Sequence, residues 1–277
     1  MTLYKYTTRD GMKKTLSGAS LLMRPVNEYN DPFEAAPAMS SEEVRKAAIM
    51  VAKSERSLER YANDPSLNEE ALTLPQIKSR VHGDPAFVGE IADRLLRRSE
   101  TSPKEVVQNF QEFFSRFFGM VCLTRNPANF LMWSLYAEKH CGFVFSIDPT
   151  LWNHTRAENV TYSHHRVSLP SVESATNEEL VSIFLTKSMD WKHEDEYRIL
   201  RRVNAWKEDG EGRQAFLELN YGQIKWVCAG VWTPEEDVDE LRAIVKASKF
   251  PEARVYRASL NSTEFKIDLP PECRGPA

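Results

Sequence analysis

The stretch WKHEDEYRIL, residues 191 to 200, sets Glu194, Asp195 and Glu196 side by side and Arg198 two positions on. Read as a strand, it places Glu194, Glu196 and Arg198 on one face. Trp191, His193, Asp195 and Tyr197 then take the other, with steps of about 6 to 7 Å along each face. Such a row can be a solvated ladder in which Arg198 pairs with Glu196. It can equally hold a carboxylate against a developing positive charge, with the second carboxylate and the arginine setting its position and acidity. The stretch alone admits both readings.

Three other places carry groups suited to a site. LYKYTT, from Leu3, reads as a strand with Tyr4 and Tyr6 on one face and Lys5 on the other. In YNDPFE, Asn30 and Asp31 fit a turn, Phe33 fits an anchor into the core, and Asn30, Asp31 or Glu34 could meet a ligand. In MWSLYA, Trp133 and Tyr136 are three apart on a helix. They form either a packed aromatic pair or a stacking platform for a planar base or nicotinamide. If Asp31, Glu34, Glu194 and Glu196 converged, they could hold magnesium for a nuclease. Spacing favours no metal site: the six histidines lack metal-ligand intervals and the four cysteines are scattered. Gly-rich phosphate loops and a GxSxG elbow are absent from the sequence.

The elements that must position these groups read as α+β: a mixed, mostly antiparallel sheet with flanking helices. Strands are expected at LYKYTT, SLLMRPV, MVCLTRN, FVFSID, ENVTYSH, EYRILRRV, AFLELN and IKWVCAGVW, with ARVYRASL and EFKIDLP closing as a hairpin. Helices are expected after Asp10 as cap, over NFLMWSLYAEKH, over TNEELVSIFLTKSMDW capped by Thr176 or Asn177, and after Thr233 as cap. A helical, nearly charge-balanced insertion at about 41–118 interrupts the strands of a single domain spanning 1–277. Three helices are expected there: SSEEVRKAAIMVAKSERSLERYA, DPAFVGEIADRLLRRS, and SPKEVVQNFQEFFSRFFG capped by Ser102.

Bulk composition narrows the function classes. A 42% hydrophobic chain of 277 residues has material for a full core. No run reaches a membrane span, and MTLYKYTTRD has no basic and apolar leader, so a cytoplasmic protein without membrane contact is expected. A net charge of −4 argues against broad nucleic-acid binding but leaves room for a local basic groove.

LYKYTT, NDPFE, MWSLYA followed by a glycine and a strand, and W-x-x-E-x-E-Y-R occur here in that order. Together with IKWVCAGVWTPEEDVDEL and RVYRASL they resemble the bacterial domain-of-unknown-function 2971 family, over Leu3 to about Leu269. That resemblance implies no established activity. More distantly, the chain resembles the ADP-ribosyltransferase (split β) fold. There the first strand often reads like LYHYT, a short helix and second strand follow, and a late glutamate sits on a strand, sometimes as E-x-E. This resemblance implies NAD as cofactor and a transferase or NAD glycohydrolase of toxin or phage-defence type, with a protein or nucleic acid as acceptor. Glu196 would contact the nicotinamide ribose and stabilise an oxocarbenium-like transition state, and Glu194 would help activate the acceptor. Tyr4, Lys5 or Tyr6 would hold NAD and Trp133 or Tyr136 would stack on it, with Asn30, Asp31 and Arg198 completing the cofactor site. Lys5 departs from the histidine many such enzymes carry, because a lysine donates but cannot accept. The alternative is a non-catalytic sensor that binds a nucleotide, or a partner protein through the helical insertion.

Overall fold

The computed structural model describes residues 1–98, 103–152, 155–168, 176–209 and 212–273. It is α+β, and its contacts group into two compact units. One comprises 1–35, 114–165 and 184–277; the other comprises 36–113 and 166–183. No helix among the described residues is long and apolar enough to cross a membrane.

The first unit opens with β1 (Leu3–Thr7), α1 (Arg9–Gly18) and β2 (Ser20–Pro25). Thr8 rather than Asp10 caps α1, its hydroxyl accepting from the Gly11 N–H, and Ala19 ends the helix in the left-handed region. In the second unit the expected first helix divides into α2 (Ser41–Ala52) and α3 (Glu55–Asn63), because Ser54 caps a new start. Then come α4 (Leu74–Gly83), which periodicity did not single out, α5 (Pro85–Arg98) and α6 (Pro103–Ser115). Ser102, the expected cap of α6, lies outside the described residues. This unit has its own core of Leu58, Tyr61, Ile77, Phe87 and Ile91.

The chain continues through β3 (Phe118–Thr124), α7 (Phe130–Tyr136), β4 (Phe143–Ile147), β5 (Glu158–Asn159) and β6 (Thr161–Ser163). Next are α8 (Asn177–Phe184), β7 (Thr186–Ser188), β8 (Glu196–Arg202), β9 (Lys207–Asp209) and β10 (Gly212–Glu218). It closes with β11 (Trp226–Ala229), α9 (Glu235–Ala247), β12 (Arg254–Arg257), β13 (Ser259–Leu260) and β14 (Ile267–Asp268). Thr176 caps α8 through the Glu179 N–H. Thr233 does not cap α9; its hydroxyl donates to the Cys141 and Gly142 carbonyls, and Pro234 takes the cap position. RVYR is not half of a hairpin but pairs parallel with β11, leaving only β13 and β14 antiparallel to each other.

The main sheet runs β12-β11-β4-β1-β3-β2-β10-β9, with β8 on β3 and β5 on β8. Every pairing in it is antiparallel except β11 with β12. β3 pairs with β8 along its whole length, from Phe118 opposite Arg202 to Thr124 opposite Glu196. On its other side it meets β1 only at Thr124, opposite Tyr4, and β2 only at Met120 and Gly119. The sheet is therefore split: two strand groups diverge from one strand. Alternation sorts β1 as expected. Leu3 joins Met12, Leu16, Val121, Ile199 and Leu241 in one core, while Tyr4 and Tyr6 join Trp133, Val144 and Trp226 in another. Each such large apolar side chain contributes about 1.5–3 kcal/mol on burial.

Candidate active site

The segment 189–196 is not one strand. Met189–Glu194 forms a 3₁₀ turn, Asp195 is left-handed with φ 43°, and β8 begins at Glu196. Neighbouring groups hold each peptide of this corner. Asn129 Nδ2 donates to His193 O at 2.6 Å, and Thr124 Oγ1 donates to Glu194 O at 2.5 Å. The Arg125 N–H donates to Asp195 O, and its Nε meets Asp195 Oδ2 at 3.1 Å. The Glu196 N–H donates to the Tyr162 hydroxyl at 2.8 Å. A left-handed residue there costs about 1–2 kcal/mol, which these bonds offset.

The corner turns Glu194 and Glu196 onto one ammonium. Lys187 Nζ lies 2.5 Å from Glu194 Oε2 and 3.1 Å from Glu196 Oε2. Arg198 uses all five of its donors. Nε and Nη2 bind Glu196, Nη1 and Nη2 bind Glu34 at 2.6 and 2.8 Å, and Nη1 also donates to Phe184 O. Tyr136 donates to Glu194 Oε1 at 2.6 Å, and Asn30 Nδ2 reaches the Tyr136 hydroxyl at 3.4 Å. All five members of the charged cluster, Glu34, Lys187, Glu194, Glu196 and Arg198, are buried. Three carboxylates against two cations leave one formal negative charge.

Burial alone would raise the Glu196 carboxyl, but Arg198 and Lys187 outweigh it and bring it down to about 2. Burial opposes the charge on Lys187, yet Glu196 and Glu194 more than compensate and hold it protonated. Glu34 goes the other way: burial raises it and Arg198 recovers only part. Burial, then the Glu194 charge, raises Tyr136, which therefore stays a donor. The Tyr162 phenol is pushed up to about 12, mainly by burial.

Beside this cluster lies a cavity of about 370 Å³, bordered by Tyr4, Lys5, Tyr6, Asn30, Tyr136, Lys187, Glu194 and Glu196 among others. All of these except Lys187 are groups singled out in the sequence, and the fold brings them together here. Asp31, Trp133 and Arg198 do not border it. Asp31 fixes its own turn by accepting from the Phe33 N–H. Phe33, the expected core anchor, is 57% exposed, whereas Asp31 and Glu34 of that turn are buried. Trp133 is fully buried, edge-on to Tyr6, with Nε1 donating to Pro127 O. It offers no face for stacking. The Tyr6 hydroxyl is spent on the loop after β3, donating to Asn126 O and accepting from the Asn129 N–H. Lys5, on the other face of β1, is half-buried, and its ammonium donates to the Cys122 carbonyl at 2.9 Å, beside the split.

Sequence reasoning missed Lys187, Tyr162, Thr124 and Asn129. The sequence pattern carries a helix on through TKSMDW, yet the helix stops at Phe184 and Lys187 sits on β7. The β-branched Thr186 after Phe184 was the available signal. Among the described residues no three His, Cys, Asp or Glu side chains are placed to hold a metal ion. Of the carboxylates considered for magnesium, Glu34, Glu194 and Glu196 are bridged instead by Lys187 and Arg198, and Asp31 accepts from the Phe33 N–H in its own turn. No family model, curated protein or solved structure matches the chain.

Proposed function

We propose that the cavity binds NAD or a closely related nucleotide, and that the chain is an ADP-ribosyltransferase-type transferase or glycohydrolase. The observation that carries this reading is the meeting of Glu194 and Glu196 on Lys187, at the wall of a cavity bordered by the first strand. Cleaving the nicotinamide–ribose bond develops positive charge on the sugar. A fixed, ionised carboxylate stabilises that charge without reorganising. Glu196 suits the role, since Arg198 and Lys187 keep it ionised and rigid while the cluster retains one net negative charge. Glu194, bonded to Tyr136, stands next to it to orient or deprotonate an acceptor. Lys5 spends one of its three donors on Cys122 and keeps two for an anionic group of the ligand. The split at β3 supports the ADP-ribosyltransferase-like fold, and a cavity of about 370 Å³ is within the range of small-molecule pockets.

Variant kinetics test the assignment. Glu196→Gln is expected to cut nicotinamide release about 100- to 1000-fold. Tyr136→Phe, which leaves the charged cluster intact, is expected to cut it about tenfold. Unchanged release in a folded Glu196→Gln protein would remove this carboxylate from the mechanism. If that variant fails to fold, Tyr136→Phe still reports on the site.

One observation favours a second reading, a binding module without turnover. All four carboxylate oxygens of Glu194 and Glu196 already have partners. That reading expects saturable nucleotide binding with no nicotinamide released.

A further inference from the structure

The outward face of α7 is apolar. With about 3.6 residues per turn, Phe130, Leu131, Ser134 and Leu135 fall on one side of this helix and Met132, Trp133 and Tyr136 on the other. Burial follows that division. Met132 and Trp133 are buried and the Tyr136 hydroxyl reaches Glu194, whereas Phe130, Leu131 and Leu135 are 47% to 55% exposed. Trp232, 61% exposed, extends the face beyond the helix: the His140 ring lies 5.1 Å from the Phe130 ring and 5.3 Å from the Trp232 ring. Backbone bonds fix this arrangement. The Trp232 N–H donates to His140 O and the His140 N–H to Trp133 O, both at 3.1 Å. At the other end, Leu135 also borders the cavity. The apolar row therefore runs from Trp232 to the cavity mouth, along the helix that holds Tyr136 against Glu194.

A helix face turned to water is ordinarily polar. Two aromatic and two leucine side chains, each about half exposed, offer roughly 400 Å² of apolar surface, a size that marks binding sites on single chains. It is about half of the roughly 800 Å² per partner that a stable complex of two globular proteins buries. The patch is thus small for pairing with a second copy of this chain and sufficient for a short segment of another protein. None of the four side chains is charged, and burial lowers the affinity of the neighbouring His140 for a proton, so the row has no cation to neutralise a phosphate. Phe130 and Trp232 are the kind of rigid aromatic anchors that dominate protein recognition.

We infer that this face docks the acceptor, and that the acceptor is a protein whose apolar side chains cover Phe130, Leu131 and Trp232 while its reacting group enters past Leu135. This inference rests on the NAD reading of the cavity. The bond between ribose C1′ and the nicotinamide nitrogen breaks, and nicotinamide leaves with the bonding electron pair. The acceptor's nucleophilic atom bonds to C1′, and its proton passes to Glu194.

The test uses the full chain, biotin-labelled NAD and an extract of a bacterial expression host, with two readouts. Nicotinamide release in buffer, where water is the acceptor, reports the NAD reading. Biotin transferred to protease-sensitive material reports docking. Phe130→Ser combined with Leu131→Ser, and separately Trp232→Ser, are expected to lower transfer about tenfold or more. Both should leave release in buffer within about twofold, because the altered side chains are exposed. Tyr221→Ser removes an equally exposed ring at the opposite end of β11 and is expected to change neither readout. That pattern supports the inference. It is overturned if release proceeds with no transfer to protein, if the label enters nuclease-sensitive material instead, or if the patch variants transfer as the wild type does. A fall in release that matches the fall in transfer also overturns it, since the face would then serve the cavity rather than a partner. If sedimentation shows wild-type dimers that these variants dissociate, the face belongs to a second copy and the inference fails. Absence of release in both buffer and extract would instead defeat the NAD reading, and this inference with it.

Discussion

At the level of single residues, the site is a charge-balancing problem solved by two cations. The ordinary alternative for WKHEDEYR, Arg198 pairing with Glu196, was legible from their separation of two, and the pair does form. What the spacing could not reveal was its completion by Glu34, 164 residues from Arg198, and by Lys187. The arrangement has a consequence in acid. Glu196 sits at about 2, below its ordinary 4.5, so its charge stabilises the fold above about pH 4.5. That contribution drains away as pH falls toward 2. Glu34 runs the other way: its raised carboxyl takes up a proton more readily in the folded chain and returns some stability on acidification. We expect the urea midpoint to fall between pH 4.5 and about 2, and Glu196→Gln to flatten that limb. An identical acid limb in the variant would show that Glu196 does not carry it.

Among the elements, the important joint is between α7 and the 3₁₀ turn before β8. Asn129 serves both: its Oδ1 accepts from the Met132 N–H to cap α7, and its Nδ2 donates to His193 O. One side chain thus sets the helix that carries Tyr136 and the turn that carries Glu194. Asn129→Ala removes both bonds and is expected to cost about 2 kcal/mol, the upper end for a lost cap. Asn129→Asp keeps the cap but sets a carboxylate against the His193 carbonyl, so it should also destabilise, measured as a lower urea midpoint. If Asn129→Asp matched the wild type, the clasp to His193 would contribute nothing. Periodicity found most strands and helices because they alternate or repeat cleanly, as Leu3–Thr7 and Glu235–Ala247 do. It failed from Thr186 to Asp195, where a three-residue strand, a 3₁₀ turn and a left-handed residue follow one another. Segments that short are fixed by tertiary hydrogen bonds rather than by their own side-chain pattern.

In the whole molecule, the mixed α+β character and the mostly antiparallel sheet were readable, as was a helical stretch beginning near Ser41. The order of the strands was not, because the pairing of β3 with both β1 and β2 joins segments about a hundred residues apart. The two units have separate cores, and this has a testable consequence. Ile91 is fully buried in the helical core, so Ile91→Ala should cost about 2–5 kcal/mol. Hydrogen exchange is expected to speed up in α2 to α5 while β1, β3 and β8 keep their protection. Equal loss in both regions would mean that the units unfold as one. The central claim concerns the first unit alone, where every residue of the carboxylate cluster and its cavity resides. The measurement that tests it most directly is incubation of the purified chain with NAD while free nicotinamide is followed over time, alongside a calorimetric NAD titration. The account expects saturable binding and nicotinamide release that rises with protein concentration. Absence of both binding and release would contradict it.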